Sequence, residues 1–369
     1  MFHGIRITKK EERIKVGFLS AALSKHVTAI VLNSFFEHFD QAKFDVIVYA
    51  VNPDHQCPNY QKISKSAENL IEFNSQSDEE MVDVIKKHSL DVLVDLDGFV
   101  GAKRRGVFSQ KPAPIQIAWM GTPATAGAPW IDYVLIDNII APKELEYQYT
   151  EKILRMPHSY FFNSMSSLKR SVKDRAYWNL PEGKFVFASF NISWKIDKET
   201  FLAWCEILKK VENSILWLFL EDEQAITNIK DTLEENGVDS NRLHCTGRVQ
   251  NDIHLARFDH ADLMLDSFIC GAHTTCTEAL YAELPVLTKI GTTFHGRVAA
   301  SIIKAADMED CITNSKDEYI ERAIEIATKD GELERLKNHL KENKDELPLF
   351  DQKRWVRDFE EILIHILEK

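Results

Sequence analysis

The sequence has few cysteines, and none of them forms a redox or metal pair. Only six occur in 369 residues, and no two have CxxC spacing. Most lie inside apolar segments, where a free thiol behaves as a small hydrophobic side chain. This pattern is typical of a reducing compartment.

Long apolar runs are also missing. The first residues, MFHGIRITKKEERIKVGF, lack the apolar core of a signal peptide. No uninterrupted apolar stretch approaches the roughly 20 residues that a membrane helix needs. These absences argue against secretion and membrane insertion, so we expect a soluble, cytoplasmic protein.

Positive charge is in deficit, and repeats are lacking. With 45 Lys and Arg against 57 Asp and Glu, the net charge is -12. Such a field repels nucleic acids and anionic membranes, so an anionic ligand needs a local site. The sequence shows no 34-residue helical repeat and no low-complexity tract. Its length and its 44% hydrophobic content suit two globular domains.

From Ile14 onward, short β-rich runs alternate with amphipathic helical runs. Such alternation predicts parallel strands joined by crossover helices. Helices are expected near residues 28–39 and 78–88. The predicted strands of this first series are IKVGFLS, FDVIVYAV, LDVLVDLDG, IQIAWMG, IDYVLID and EKILRM.

A polar, turn-rich segment at residues 163–183 interrupts the pattern, which then restarts. We therefore predict two doubly wound α/β domains, at residues 1–165 and 166–369. The chain after Lys316 is expected to be helical. Its last segment, KRWVRDFEEILIHILEK, has one apolar face. The second series of predicted strands is FVFASFN, SILWLFLE, RLHCTGR, DLMLDSF and PVLTKI.

Ligands of open α/β sheets bind outside the carboxyl ends of the strands, so two facing sheets would form a cleft lined by strand-to-helix loops. One such loop is in FICGAHTTCTEALYAELPVL. A capping box of Thr275 and Glu278 explains those two residues. It leaves His273, Thr274 and the small Gly-Ala approach unexplained. A phosphate-bearing ligand at the helix N-terminus is the second interpretation.

Two further loops of the second domain carry candidate residues. In FNISWKID, Lys195 precedes the predicted N-cap Asp197, where a cation opposes the helix dipole unless an anion lies between them. An exposed loop lysine is the alternative interpretation. In NDIHLARF, His254 and Arg257 share one helical face, which is either a binding surface or a solvated one.

The first domain offers weaker candidates. His26 follows the first strand, where an imidazole could act as acid, base or substrate anchor, although most loop histidines are plain surface residues. The DLDG sequence at 95–98 is similar to a metal-holding DxD, but the motif is too short for us to assign a metal. The loop GTPATAG at 121–127 could present N–H groups to an anion or hold a peptide.

Together these segments resemble the catalytic region of the O-GlcNAc transferase and SPINDLY family of protein glycosyltransferases. The resemblance covers nearly the whole chain, because its segments occur in family order. They are KPAPIQIAWMGTPATAG, IDYVLID, QYTEKILRMPHSYFF, FNISWKID, ILWLFLED, NRLHCTGRV, HADLMLDSFICGAHTTCTEALYAELPVLT and GRVAAS.

The resemblance implies a GT-B fold, with two facing Rossmann-like domains and a C-terminal helix that returns to the first. The first domain would face the acceptor, and the second would bind the nucleotide-sugar. The implied reaction is inverting, metal-independent transfer to Ser or Thr, most simply of GlcNAc from UDP-GlcNAc, without a further cofactor. The implied site residues are Lys195 on the diphosphate; His273, Thr274 and Thr275 in a phosphate loop; Glu278 on the ribose; His254 and Arg257 near the base and phosphates; and His26 as the active-site histidine, positioning the acceptor or taking its proton.

Some positions depart from the family pattern. Ile192 and Asn251 replace a polar residue and a lysine that many relatives carry, which leaves the donor open. Phe99 stands where relatives carry a titratable or hydroxylated ring, so it cannot be the base, and Ala124 replaces a glycine. Fucosyl transfer from GDP-fucose, glucosyl transfer to asparagine and a catalytically silent nucleotide-binding partner subunit are the alternatives. No tetratricopeptide array is present to recruit acceptors, so we expect either a recruiting partner protein or direct recognition of the protein or peptide acceptor.

Overall fold

A computed structural model of the protein describes residues 13–100, 104–163, 171 and 173–368. Contacts divide the chain into two compact units, Met1–Ser164 with Asp351–Lys369, and Met165–Phe350. The predicted boundary between residues 165 and 166 lies outside the described residues. The predicted second domain also included the last helix, which the structure instead places with the first unit.

The first unit is built on a parallel sheet. Its seven strands among the described residues follow the order β3-β2-β1-β4-β5-β6-β7. The six apolar runs predicted as strands are confirmed, and β3, at one edge of the sheet, is an additional strand that the pattern did not predict. The strands are β1 (Ile14–Ser20), β2 (Phe44–Val51), β3 (Asn69–Phe73), β4 (Val92–Asp95), β5 (Ile115–Ala118), β6 (Tyr133–Asp137) and β7 (Lys152–Met156).

Helices connect these strands. The helix predicted at 78–88 is confirmed as α3, which begins with a capping box between Ser77 and Glu80. The single helix predicted over 28–39 is wrong, because α1 ends after one turn and a short 3-10 helix, Phe35–His38, follows it. Because α1 ends early, the aromatic rings that follow it can pack against the same core strand. The helices are α1 (Val27–Val31), α2 (Pro58–Ser66), α3 (Asp78–Lys87) and α4 (Arg105–Ser109).

The last helix, α12 (Gln352–Leu367), completes the first unit. The ring of its Trp355 lies 4.8 Å from that of Trp119 and 5.0 Å from that of Phe162. Its indole N–H donates a 2.8 Å hydrogen bond to the carbonyl of Ser159. The predicted apolar face therefore packs against the core of the first unit, although the chain reaches it only after completing the second.

The second unit repeats the architecture. Its six strands among the described residues follow the order β10-β9-β8-β11-β12-β13, and every pairing is parallel. The five predicted strands are confirmed, and β13 is an additional one. The strands are β8 (Phe185–Ser189), β9 (Ser214–Phe219), β10 (Leu243–Thr246), β11 (Leu263–Leu265), β12 (Val286–Lys289) and β13 (Ile312–Thr313).

Each strand of this unit leads into a helix. The predicted N-cap Asp197 is confirmed, since its side chain accepts a hydrogen bond from the N–H of Thr200 at the start of α5. The helices are α5 (Lys198–Lys210), α6 (Glu223–Glu235), α7 (Asn251–Arg257), α8 (Thr274–Tyr281), α9 (Val298–Ala305), α10 (Lys316–Thr328) and α11 (Glu332–Asn343). No helix within the described ranges is long and apolar enough to cross a membrane.

Strand order determines where a ligand can bind in each unit. The chain leaves β1 in one direction and β4 in the other, and it does the same at β8 and β11. Helices therefore diverge at these two points, and the carboxyl ends of the strands remain open there. The loops after β1, β4, β8 and β11 are the first places to look for a binding site.

Candidate active site

The loops after β8 and β11 are joined by a buried side chain. Asn191, which is 2% exposed, follows β8 and donates hydrogen bonds of 3.1 Å to Asp266 and 3.2 Å to Ser267, both directly after β11. Because β8 and β11 are neighbours in the sheet, the contact closes the base of the opening between them. The predicted site residues follow these buried residues in the two loops.

Lys195 lies at this opening. It ends a short 3-10 helix, Ser193–Lys195, and its Nζ donates a 2.7 Å hydrogen bond to the carbonyl of Gly271. An ammonium group has three donors, so this bond leaves two for a ligand. The side chain is partly buried and joins the two loops, and it is not the freely exposed loop lysine of the alternative interpretation.

The N-terminus of α8 lacks a side-chain cap. The helix begins at Thr274 with His273 as its N-cap, and no cap side chain bonds its N–H groups. The predicted capping box of Thr275 and Glu278 is therefore wrong, because the Glu278 carboxylate bonds to His254 instead. An uncapped helix start carries free N–H groups and the positive end of the dipole, which together can bind an anion.

His273 contributes polarity to this site and no charge. Burial, together with the smaller effects of nearby Lys195 and His295, lowers its pKa to about 3. The ring is therefore neutral at pH 7. Its Nε2 is buried and has no hydrogen-bond partner among the described residues. Lys195 thus supplies a positive charge beside α8 that His273 does not.

A second cluster joins α7 to α8. His254 Nε2 lies 2.9 Å from a carboxylate oxygen of Glu278, and His254 Nδ1 contacts the guanidinium of Arg257. Because a guanidinium can only donate, Nδ1 is the acceptor and the imidazole proton is on Nε2, facing Glu278. Three predicted site residues therefore form one chain of hydrogen bonds.

Arg257 differs from the other members of this cluster because it is a buried cation with donors left unpaired in the described part of the chain. It is 3% exposed, so the interpretation of α7 as a solvated face is wrong here. Its guanidinium lies 4.2 Å from the ring centroid of Phe190, and burial lowers its pKa to about 10. Its Nε and Nη1 have no hydrogen-bond partner within the described residues. Unpaired donors on a buried cation are costly, and an anionic or carbonyl-bearing ligand would satisfy them.

In the first unit, His26 is the N-cap of α1. Its Nδ1 accepts a 3.2 Å hydrogen bond from the N–H of Thr28, and burial lowers its pKa. The neutral ring then carries its proton on Nε2. Nε2 can donate a hydrogen bond to a substrate oxygen, but it cannot accept a proton. The geometry favours substrate positioning over the base role that the sequence left open.

The DLDG carboxylates after β4 bind the chain's own donors. Asp95 accepts N–H bonds of 2.9 Å from Asp97 and Gly98. Asp97, which is 2% exposed, accepts the Ser20 hydroxyl at 2.5 Å and the Ala21 N–H at 2.6 Å. Together they tie the end of β4 to the loop after β1 that leads to His26.

Asp97 should give the first unit a specific pH dependence. Burial raises its pKa from 3.8 to about 6, with hydrogen bonds from Ala21 and Ser20 opposing the rise. The folded state then binds this proton more tightly than the unfolded chain, so its contribution to the free energy of unfolding falls as pH rises through that window. The loss is about 3 kcal/mol at about 1.4 kcal/mol per pKa unit.

Asp97→Asn removes this titration, so denaturant unfolding at about pH 4 and about pH 7 should show a smaller fall in stability for the variant than for the wild type. Asp95 is present in both proteins and serves as the internal control. Equal changes in the two proteins would show that Asp97 is already ionised at the lower pH.

The GTPATAG loop binds a carboxylate side chain of the protein itself. Glu151, directly before β7, accepts the N–H of Ala126 at 2.6 Å, the N–H of Gly127 at 3.1 Å and the hydroxyl of Thr125 at 2.7 Å. The expectation that this loop presents N–H groups to a ligand therefore fails for Ala126 and Gly127. No local pattern indicates this contact, because Glu151 lies 24 to 26 residues away along the chain.

Exposed apolar side chains near Lys195 were not predicted as site residues. Trp194 is 69% exposed, Ile269 is 62% exposed and Ile192 is 44% exposed. They lie on the loops that the Lys195–Gly271 hydrogen bond joins. The sequence did indicate two of them, because the apolar residues Ile192 and Trp194 of ISW stand in an otherwise polar loop.

Comparison with known proteins shows the family of the chain. Residues 2–175 and 164–359 match glycosyl transferase family 41. The chain belongs to this family. A mutant O-GlcNAc transferase of Thermobaculum terrenum has a similar structure, with a TM-score of 0.88 at 25% identity over 97% of this chain and 69% of that one. The predicted GT-B fold class and the glycosyltransferase class are therefore confirmed at the family level.

Two plant relatives show the same similarity in sequence. One, described as a probable UDP-N-acetylglucosamine–peptide N-acetylglucosaminyltransferase SEC of Arabidopsis thaliana, is 32% identical over 95% of this chain and 36% of its own length. A SPINDLY protein of Solanum lycopersicum with the same described activity is 26% identical over 95% of this chain and 38% of its own length. The chain thus spans little more than a third of these relatives.

Proposed function

We propose that this chain is a protein O-glycosyltransferase that transfers GlcNAc from UDP-GlcNAc to Ser and Thr hydroxyls by an inverting, metal-independent reaction. The observation that carries the proposal is the convergence of the Lys195 ammonium and the uncapped N-terminus of α8 at one opening of the second unit. Membership of family 41 and the activity named for its peptide-modifying relatives support the same reaction.

The proposed chemistry follows from where charge develops. The acceptor hydroxyl oxygen forms a bond to the anomeric carbon while the bond from that carbon to the diphosphate breaks; the electron pair of the broken bond leaves with the diphosphate, and the hydroxyl proton is released to water. Lys195 and the N–H groups of Thr274 and Thr275 would be preorganised for the new negative charge, which is a large source of rate enhancement. His273, being neutral, would supply only a hydrogen-bonding group.

The Arg257 cluster is proposed to bind the rest of the nucleotide. The N–H groups of Arg257 Nε and Nη1, which have no partner among the described residues, suit a phosphate or a base carbonyl. Glu278 balances the buried charge of Arg257 and would accept a ribose hydroxyl beside its bond to His254. This assignment needs no additional cofactor.

His26 is proposed to orient the acceptor through its Nε2–H. His26 is not assigned as the acceptor of the hydroxyl proton, since its Nδ1 already accepts the N–H of Thr28. Phe99, whose ring lies 4.1 Å from the Arg105 guanidinium, has no titratable group to offer.

We further propose that the acceptor is a cytoplasmic polypeptide, reached either directly or through a recruiting partner protein. The compartment is suggested by the thiols, because all six cysteines are free and five are buried.

Intact-mass spectrometry tests the proposal. The purified protein is incubated with candidate polypeptides and with UDP-GlcNAc, GDP-fucose or UDP-glucose in separate reactions. We expect an N-acetylhexosamine increment only with UDP-GlcNAc, located on Ser or Thr by fragmentation. An increment with another donor, or on asparagine, would change the donor or acceptor assignment. Nucleotide binding without any increment would favour the silent partner subunit.

A further inference from the structure

One peptide group connects Lys195 to a carboxylate that the proposed chemistry does not use. The carbonyl of Gly271 accepts the 2.7 Å hydrogen bond from Lys195 Nζ. The N–H of Ala272, in the same peptide group, donates a 2.7 Å hydrogen bond to Oδ1 of Asp266. In a trans peptide these two bonds point in opposite directions. The Lys195 ammonium and the Asp266 carboxyl group therefore bond to the two ends of one amide.

Asp266 is fixed from several elements. It is 0% exposed, and its Oδ2 accepts the Thr288 hydroxyl of β12 at 2.7 Å. Asn191 donates to Oδ1, and the Tyr319 hydroxyl of α10 donates a 3.0 Å hydrogen bond to the Asp266 carbonyl. These partners fix the carboxylate, so the direction of the Ala272 N–H is fixed with it.

The residue at 271 is also constrained. A Cβ at Gly271 would lie 2.8 Å from Asp266 Oδ2, closer than real Cβ contacts occur. The N–H of Gly271 is occupied as well, because it donates a 2.9 Å hydrogen bond to the carbonyl of His295. Glycine at position 271 therefore lets the Asp266 carboxylate, the Gly271–Ala272 peptide group and the Lys195 ammonium lie close together.

We propose that Asp266 is a positioning residue for Lys195, acting through the Gly271–Ala272 peptide group. Holding the N–H of Ala272 turns the carbonyl of Gly271 toward the ammonium, and that carbonyl holds the ammonium at the opening beside α8. Hydrogen bonds at both ends of an amide polarise it and strengthen each other. The inference deepens the proposed function and rests on it, since it concerns the same diphosphate site.

The direction in which nucleotide affinity changes when Asp266 is replaced distinguishes this positioning role from simple charge repulsion. A buried carboxylate near a diphosphate repels it, so removing the charge alone would tighten nucleotide binding. Removing the acceptor of the Ala272 N–H frees the peptide group to turn, and Lys195 loses its position. Positioning therefore predicts weaker binding, and only while Lys195 is present.

A double-mutant cycle on nucleotide affinity tests this role. Calorimetric Kd values for UDP, and for GDP if it binds more tightly, are measured for the wild type, Asp266→Ala, Lys195→Met and the double variant. With Lys195 present, we expect Asp266→Ala to raise the Kd about tenfold, as for a lost hydrogen bond to a charged group. In the Lys195→Met background we expect a change of less than about twofold, because the two residues act as a unit.

Two matched variants refine the cycle. Asp266→Asn keeps an oxygen for the Ala272 N–H and should restore the Kd to within about threefold of the wild type. Thr288→Val removes one of the hydrogen bonds that fix the carboxylate but leaves the acceptor of the Ala272 N–H in place, so it should raise the Kd by less than Asp266→Ala does. If Asp266→Ala does not fold, Gly271→Ala displaces the same carboxylate and should weaken UDP binding in the same Lys195-dependent way.

Unchanged or tighter UDP binding by a folded Asp266→Ala protein would overturn the inference. Equal losses with Lys195 present and in the Lys195→Met background would do the same, because they would indicate general damage to the loop. A wild-type protein that binds neither UDP nor GDP would instead overturn the proposed function, and the inference with it.

Discussion

Lys195→Met should lower the turnover number for sugar transfer by about a hundredfold to a thousandfold, the effect of losing one preorganised donor at a developing charge. Methionine keeps most of the length of the side chain and removes the ammonium, so the two donors available to the diphosphate are lost together with the bond to Gly271. Turnover is measured by incorporation of labelled sugar into a polypeptide at saturating donor.

Lys198→Met is the matched control. Lys198 is exposed at the first position of α5, three residues beyond Lys195, and its replacement should leave turnover unchanged. Both variants should melt within about 2 °C of the wild type, because neither lysine belongs to the core. A Lys195→Met protein that turns over like Lys198→Met would remove Lys195 from the chemistry.

Trp355→Ala should destabilise the first unit by about 3 to 5 kcal/mol, the usual cost of truncating a buried tryptophan. Trp355 is 4% exposed and its ring stacks on Trp119 at 4.8 Å. The variant also leaves the Ser159 carbonyl without its 2.8 Å donor. Chemical denaturation should show the transition of the first unit at lower denaturant.

The control is Tyr147→Ala, which removes another large ring from the same unit. Tyr147 is 80% exposed, so its loss should cost less than about 0.5 kcal/mol. If Trp355→Ala were as mild as Tyr147→Ala, α12 would not be part of the stable core of the first unit.

Most of the fold could be predicted because parallel strands read as short apolar runs. β1 and β2 agree with the predicted IKVGFLS and FDVIVYAV. β3 was missed, because NLIEF mixes polar letters into an edge strand. The helix over 28–39 failed for a tertiary reason. The rings of Phe35 and Phe36 lie 5.8 Å and 5.3 Å from that of Phe18, a packing that local periodicity does not encode.

Sequence reasoning could name candidate site residues but not the contacts between them. Strand-to-helix loops and their unusual letters pointed to Lys195 and to the start of α8, and the structure brings them to the same opening. No local pattern indicated that the Glu278 carboxylate would bond to His254, 24 residues away, instead of capping the helix. The contacts of Glu151 with the GTPATAG loop, and of Asp266 with Asn191 and Thr288, were equally hidden, because these partners are far apart along the chain.

A crystal structure of the protein with UDP is the decisive measurement for diphosphate binding at Lys195. We expect the β-phosphate within hydrogen-bonding distance of Lys195 Nζ and of the N–H groups of Thr274 and Thr275, with Arg257 donating to the nucleotide. A diphosphate bound elsewhere, with Lys195 still bonded only to Gly271, would contradict the proposed chemistry.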